Sequence, residues 1–249
     1  MKFMFFLWAL FIFSPSHAVE VIEIVAAEGS VITEDAAGKR SKSVQPRDMV
    51  STGMMLSTGA DARAVVKVGS SGFLVMGKNS QVEINKAENK PGFFRQMKGV
   101  VYYALNSLKR SQHSMEVRTA TTTIGIRGTR FLVSDEAERN EIGMRKGVVS
   151  VSSVEGEFEI HKKSQQDEFE AFKQEGTIAI DKEKREFVEY SAKTQNEFIE
   201  YKREFSLEAN RMASFDGKRV VDRPLSGETE KDMESLEGYA DEWLKAVRD

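Results

Sequence analysis

The chain has 249 residues, 40% hydrophobic and 30% charged, with a formal net charge of −3 and no cysteine. These are ordinary globular proportions with enough length for one sizeable domain plus appendages, or two small domains. The mildly acidic balance argues against a dedicated nucleic-acid binder, and the missing cysteines exclude a disulfide-stapled miniature, so stability has to come from packing and strand pairing.

The first element in chain order is an export signal. Met1-Lys2 is a charged start, Phe3 to Phe13 is unbroken apolar sequence, and Ser14-Pro15-Ser16-His17-Ala18 is a small-residue exit, which predicts cleavage after Ala18. At roughly 1.5 Å per residue the apolar run covers only about half of a ~30 Å hydrocarbon layer, and no second apolar stretch of spanning length follows, so no stable membrane span is expected after cleavage. The expected location is periplasmic or secreted.

From Val19 to about residue 183 the sequence is a succession of short apolar or alternating runs separated by Gly-, Asn-, Ser- and Lys-bearing breaks. Strands are predicted at Val21 to Ala26, Gly29 to Thr33, Met54 to Leu56, Ala64 to Val68, Gly72 to Met76, Ser80 to Asn85, Gly99 to Leu105, Met115 to Thr119, Thr129 to Ser134, Glu141 to Arg145, Val148 to Ser153, Phe158 to His161 and Thr177 to Ile180. The gaps are too short for helical crossovers, which favours a sandwich, a barrel or a short β-solenoid over a parallel α/β sheet. Gln81-Val82-Glu83-Ile84 and Glu157-Phe158-Glu159-Ile160 alternate and should be half exposed. Gly99 to Leu105 is apolar on both faces, as a central or covered strand would be.

Beyond Arg185 the spacing changes. Phe187, Tyr190, Phe198, Tyr201, Phe205, Met212 and Phe215 fall at helical intervals among charged residues, and Met233, Leu236, Ala240, Trp243, Leu244 and Val247 repeat the pattern, with Thr229 and Asp232 placed like a capping box. Two C-terminal helices are therefore expected over residues 184–249, as a hairpin or packed separately. The first would cover an open end or edge of the β domain, or pair with a partner helix.

The most informative stretch is Val117 to Val133. Val117-Arg118-Thr119 reads as a strand, Gly125-Ile126-Arg127-Gly128 as a turn, and Thr129-Arg130-Phe131-Leu132-Val133 as a second strand. This block resembles the FecR domain, whose Val-x-Thr element leads into Gly-Val-Arg-Gly-Thr-x-Phe-x-Val; Ile126 is a conservative apolar variation. Thr52-Gly53-Met54-Met55-Leu56-Ser57-Thr58-Gly59 is similar to the family's apolar pair and Thr-Gly turn, and Ala62 to Gly69 with Gly72 to Ser80 to its paired strands, although Ser70-Ser71-Gly72 replaces the usual acidic-glycine turn. Downstream, Arg145-Lys146-Gly147-Val148-Val149-Ser150-Val151 and Gln174 to Ile180 resemble its later elements. The resemblance implies an extracytoplasmic, mainly β domain of solenoid or sandwich type, known as the sensing part of regulators that respond to outer-membrane iron transporters. Those regulators carry an anti-sigma segment and a membrane helix ahead of the domain; neither precedes it here, so a stand-alone exported version is expected.

For function, the segment from Lys86 to Arg130 is rich in bases with interleaved aromatics. Phe93, Phe94, Arg95, Lys98, Tyr102, Tyr103, Arg127 and Arg130 are the candidate partner-binding residues, since rings and cations suit a protein hot spot or sugar stacking. The competing structural reading makes the aromatics core and the bases a solvated face. Of the histidines only His113 and His161 follow the signal, and no metal-ligand spacing, nucleophile elbow or phosphate loop is present. No cofactor and no enzymatic activity are expected. Paired carboxylates of a hydrolase form a separate, weaker hypothesis whose geometry belongs to the fold. The leading expectation is a binding, sensing or scaffolding module with a protein partner in envelope signalling or assembly; the alternative is a glycan or peptidoglycan binder.

Overall fold

The structure, a computed structural model, describes residues 21–35, 41–86, 92–106, 115–162 and 198–246. The expected signal peptide, the strand expected at Thr177 to Ile180 and His113 lie outside them. The described residues form eighteen strands and one helix.

The strands pair in two rows. In the first the order is β1 (Ile22–Glu28), β5 (Arg63–Val68), β6 (Gly72–Met76), the second half of β8 (Gly92–Leu105), β11 (Thr129–Glu136), β12 (Arg139–Lys146), β17 (Arg211–Asp216), β18 (Arg219–Pro224), β14 (Phe158–Lys162) and β15 (Phe198–Lys202). The second row runs β3 (Ser41–Ser43), β2 (Val31–Asp35), β4 (Met54–Thr58), β7 (Gln81–Lys86), the first half of β8, β9 (Glu116–Arg118), β10 (Thr122–Ile126), β13 (Val148–Ser153) and β16 (Glu204–Glu208). Neighbours are antiparallel except β8 with β9 and β14 with β18. Among the described residues neither row closes on itself.

β8 belongs to both rows because it bends at Gly99. Residues before the bend pair with β7, and Gly99 to Leu105 pair with β11. Gly99 holds φ at 86°, and a Cβ there would stand 2.5 Å from the Ser80 Cα. Only glycine allows that turn and that approach together.

One core lies between the rows. It takes Ile24, Val66, Leu74, Val101, Tyr103, Phe131 and Ile142 from the first row and Leu56, Val82, Phe94, Val117, Ile124 and Val151 from the second. As period-2 geometry requires, Val82 and Ile84 point in while Gln81 and Glu83 are part-exposed. The doubly apolar run of β8 is doubly buried: Val101, Tyr103 and Leu105 enter the core between the rows, and Tyr102 and Ala104 join a second cluster on the outer face of the first row.

Three expectations are corrected. The first of the two expected helices, over Phe187 to Phe215, is strand wherever it is described: β15, β16 and most of β17 occupy residues 198–215. From Phe205 to Phe215 its helical spacing arises across the tight turn at Asn210, φ 62°, which joins two strands that alternate on their own. Among the described residues one helix, α1 (Gly227–Ala246), follows. The turn expected over Gly125 to Gly128 is shorter, because β10 continues through Ile126 in register with Val149. The expected Thr229–Asp232 box is not the cap: Ser226 is, accepting the Thr229 backbone N–H on its Oγ at 3.2 Å and the Glu230 N–H on its carbonyl at 3.0 Å.

Candidate interaction face beneath the C-terminal helix

α1 begins at its serine cap and carries acids in its first turn, Glu228 and Glu230, where they favour the positive end of the helix dipole. Met233, Leu236, Tyr239 and Ala240 recur on one side and are buried. They cover Val25, Ala26, Val65, Val75, Tyr102, Ala104 and Leu132 on the outer face of the first row. Gly143 of β12 permits the close approach: a Cβ there would lie 2.7 Å from Thr229 Cγ2 and 2.9 Å from Met233 Cε.

Charge surrounds this apolar contact. Arg139 donates to Glu141 at 2.6 Å within β12 and to Asp232 of α1 at 2.5 Å. The Thr229 hydroxyl donates to the same Glu141 oxygen at 2.8 Å, so a carboxylate only 6% exposed is held by a cation and a hydroxyl. Burial works against the charge on Arg139, but its hydrogen bonds to Asp232 and Glu141 outweigh that and hold the guanidinium more firmly protonated than usual. Arg145 reaches Glu230 at 3.2 Å and Glu234 at 3.6 Å. Arg130 pairs with Glu237 at 2.5 Å, and the Tyr102 hydroxyl donates to the same carboxylate at 3.0 Å. Arg63 lies 4.4 Å from the Tyr239 ring centre and pairs with Glu28 at 3.0 Å. Beside the N-terminal half of the helix a cleft of about 620 Å³ opens, lined by Glu28, Asp61, Lys78, Glu136, Arg139 and Asp232 among others.

The candidate residues read from sequence separate into four places. Phe94 and Tyr103 are core, 6.2 Å apart between ring centres, with Tyr103 stacked on Phe131 at 5.1 Å. The Tyr103 hydroxyl donates to Gln96 Oε1 at 3.1 Å, and Gln96 Nε2 donates to the carbonyls of Gly99 and Val133, a closed polar network inside the bend of β8. Arg95 and Lys98 are exposed on the first half of β8, where Phe93 has a described strand position. Tyr102 and Arg130 meet under α1 at Glu237, and Arg127 is exposed in the turn before β11. Burial pushes both tyrosine hydroxyls well above their ordinary range, with the Glu237 charge adding to the effect at Tyr102. The aromatic platform expected for sugar stacking is thus absent at Phe94, Tyr102 and Tyr103, whose rings are all covered.

Sequence reasoning missed Arg63, Arg139, Arg145, Glu141 and Gly143. The pairs from Arg139 and Arg145 to α1 join residues more than eighty positions apart, and no local pattern signals them. Among the described residues no group of three or more His, Asp or Glu is placed to hold a metal ion, and no helix is long and apolar enough to cross a membrane.

No curated protein matches the sequence significantly. Among solved structures, two crystal structures of a candidate anti-sigma factor from Parabacteroides distasonis ATCC 8503, at 1.65 and 2.50 Å, are each similar to this chain at 11% identity with a TM-score of 0.45. Each likeness covers 71% of this chain and 62% of the other, so the chain spans less than two thirds of that protein's length. Residues 54–150 match the family model described as FecR protein. The match runs from the start of β4 into β13 and encloses the Gly125 to Phe131 element, and over this span the chain is similar to the FecR family.

Proposed function

We propose that the chain is a non-enzymatic protein-interaction module of a signalling system in the cell envelope, exported to the periplasm and acting through the surface of a rigid β body. The observation that carries this reading is the FecR match over residues 54–150, which spans the central strands of both rows and supports a regulatory role. Burial of Phe94, Tyr102 and Tyr103 removes three of the four rings on which the glycan reading depended, so the partner expected is a protein. The test is fractionation followed by in-cell photocrosslinking from exposed Arg127 and Lys98, each replaced by a photoreactive residue. A discrete crosslinked protein in the periplasmic fraction, unchanged by lysozyme digestion, is the expected result. A chain confined to the cytoplasm, or one recovered only with cell-wall sacculi, would overturn it.

A further inference from the structure

We propose that the outer face of the first row is a receptor for an amphipathic helix with acidic flanks, filled in cis by α1 and open to the same kind of helix from the protein partner once α1 lifts away. This rests on the reading of the chain as a protein-interaction module and names the partner's chemistry.

The face has the composition of a helix seat. Its floor is Val65, Val75, Tyr102 and Leu132, each fully buried beneath α1. Its margin carries four strand arginines: Arg63 and Arg139 are also paired within the sheet, with Glu28 and Glu141, and Arg130, Arg139 and Arg145 each reach at least one acid of α1. An occupant therefore needs an apolar stripe flanked by Asp or Glu, which selects against basic helices by charge and against uniformly polar ones by their lack of an apolar face.

α1 is built to leave without dismantling what it covers. Every strand beneath it is paired with strand neighbours, so lifting the helix breaks no ladder. Its buried apolar residues belong to the outer cluster and not to the core between the rows, and its buried Thr229 is tied to the sheet through Glu141. Only Leu225 and Ser226 join it to β18. Several of its fasteners are partly exposed ion pairs, with Arg130 half exposed and Glu230 and Glu234 more than half, and such pairs hold weakly. The cleft beside its N-terminal half marks where the fit is incomplete.

The absence of any cysteine allows a clean lock: the full chain carrying Gly143→Cys and Thr229→Cys, whose side chains would meet under the helix, can be compared oxidised and reduced. The probe is a fluorescent synthetic peptide of residues 226–249. Wild type and the reduced variant should bind it, and oxidation should weaken binding at least about tenfold, because the competent open state is removed. In a second full-length variant, Glu230→Lys with Glu234→Lys loosens α1 while leaving the sheet intact, and should tighten probe binding about tenfold for the same reason. Hydrogen exchange on the wild type should show α1 amides opening well before those of β11. Equal probe binding by the oxidised and reduced forms, no gain from the loosened variant, or exchange of α1 only together with β11 would overturn the proposal. A dimer that forms in the loosened variant and is blocked by the lock would assign the seat to a second copy and overturn the partner assignment. The two readings fail separately: a crosslinked partner retained equally by locked and unlocked chain leaves the interaction module standing and removes this seat from it, whereas probe binding without any envelope partner removes the module reading.

Discussion

Single residues fix the geometry on which both rows depend, and Gly99 is the sharpest case. Its positive φ and the 2.5 Å approach of the Ser80 Cα to any added Cβ mean that Gly99→Ala must move backbone. The expected cost is about 3 kcal/mol, read as a lower urea midpoint at unchanged slope. Sequence reasoning placed Gly99 at the start of a strand, because a bend inside a strand is set by the neighbour it avoids and has no signature of its own. The aromatics next to it were legible as a pattern but ambiguous in use: alternation in Tyr102-Tyr103 says that both sides are covered without saying by what. Their burial has a pH consequence. Both hydroxyls are raised above the ordinary value of 10.0, so the folded chain keeps protons that the unfolded chain loses. Stability should be full below pH 10.0 and fall as pH rises above it. Tyr103→Phe should cost about 1 kcal/mol at neutral pH by leaving Gln96 Oε1 without its donor, and should flatten the alkaline fall in a pH series of denaturation curves.

At the scale of elements, α1 is docked by an apolar stripe and positioned by charge. Arg139 sits between a buried acid of its own strand and an exposed-side acid of the helix, so its removal leaves Glu141 with the Thr229 hydroxyl alone. Arg139→Met should destabilise by about 2 kcal/mol, and Glu141→Gln in the same chain should recover part of that loss in a double-mutant cycle, since the uncompensated charge is what costs. The helix itself was visible in the sequence through Met233, Leu236 and Ala240. Its true start was not, because Thr229-x-x-Asp232 mimics a cap that the serine three residues earlier provides. Residues 198–215, expected as helix and found as strand, show the reverse failure. Strands of five or six residues joined by a two-residue turn place apolar residues at intervals of seven and three, and across Phe205, Met212 and Phe215 that spacing passes for a helical stripe. The cue that favoured strands was the strict alternation of Glu204-Phe205-Ser206-Leu207-Glu208 ahead of Asn210.

For the whole molecule, the change of apolar spacing near Arg185 suggests a boundary near residue 183, yet strand pairing crosses it. β16 extends the second row from β13, β17 extends the first from β12, and β18 and β15 flank β14 on either side. A chain ending at residue 183 would leave β12, β13 and β14 with unpaired edges and would uncover the floor beneath α1. It should fail to fold, eluting as aggregate in size exclusion while the full chain gives a single cooperative melt. Mainly β architecture was readable from short runs and glycine breaks, and the FecR element from the order of its motifs. The two rows and the helix seat were not, because they depend on pairings between distant segments such as β12 with β17.

β8 is one rod threaded through two ladders. A slip of a single residue along it would turn Phe94 and Gln96 outward in one row and at the same time drive Tyr102 inward and Tyr103 outward in the other. Misregistration in either half is therefore penalised in both, so the strand acts as a proofreading device: once its fourteen residues have seated, the alignment of β6, β7 and β11 is settled together, and the order of assembly in one layer cannot drift from that in the other.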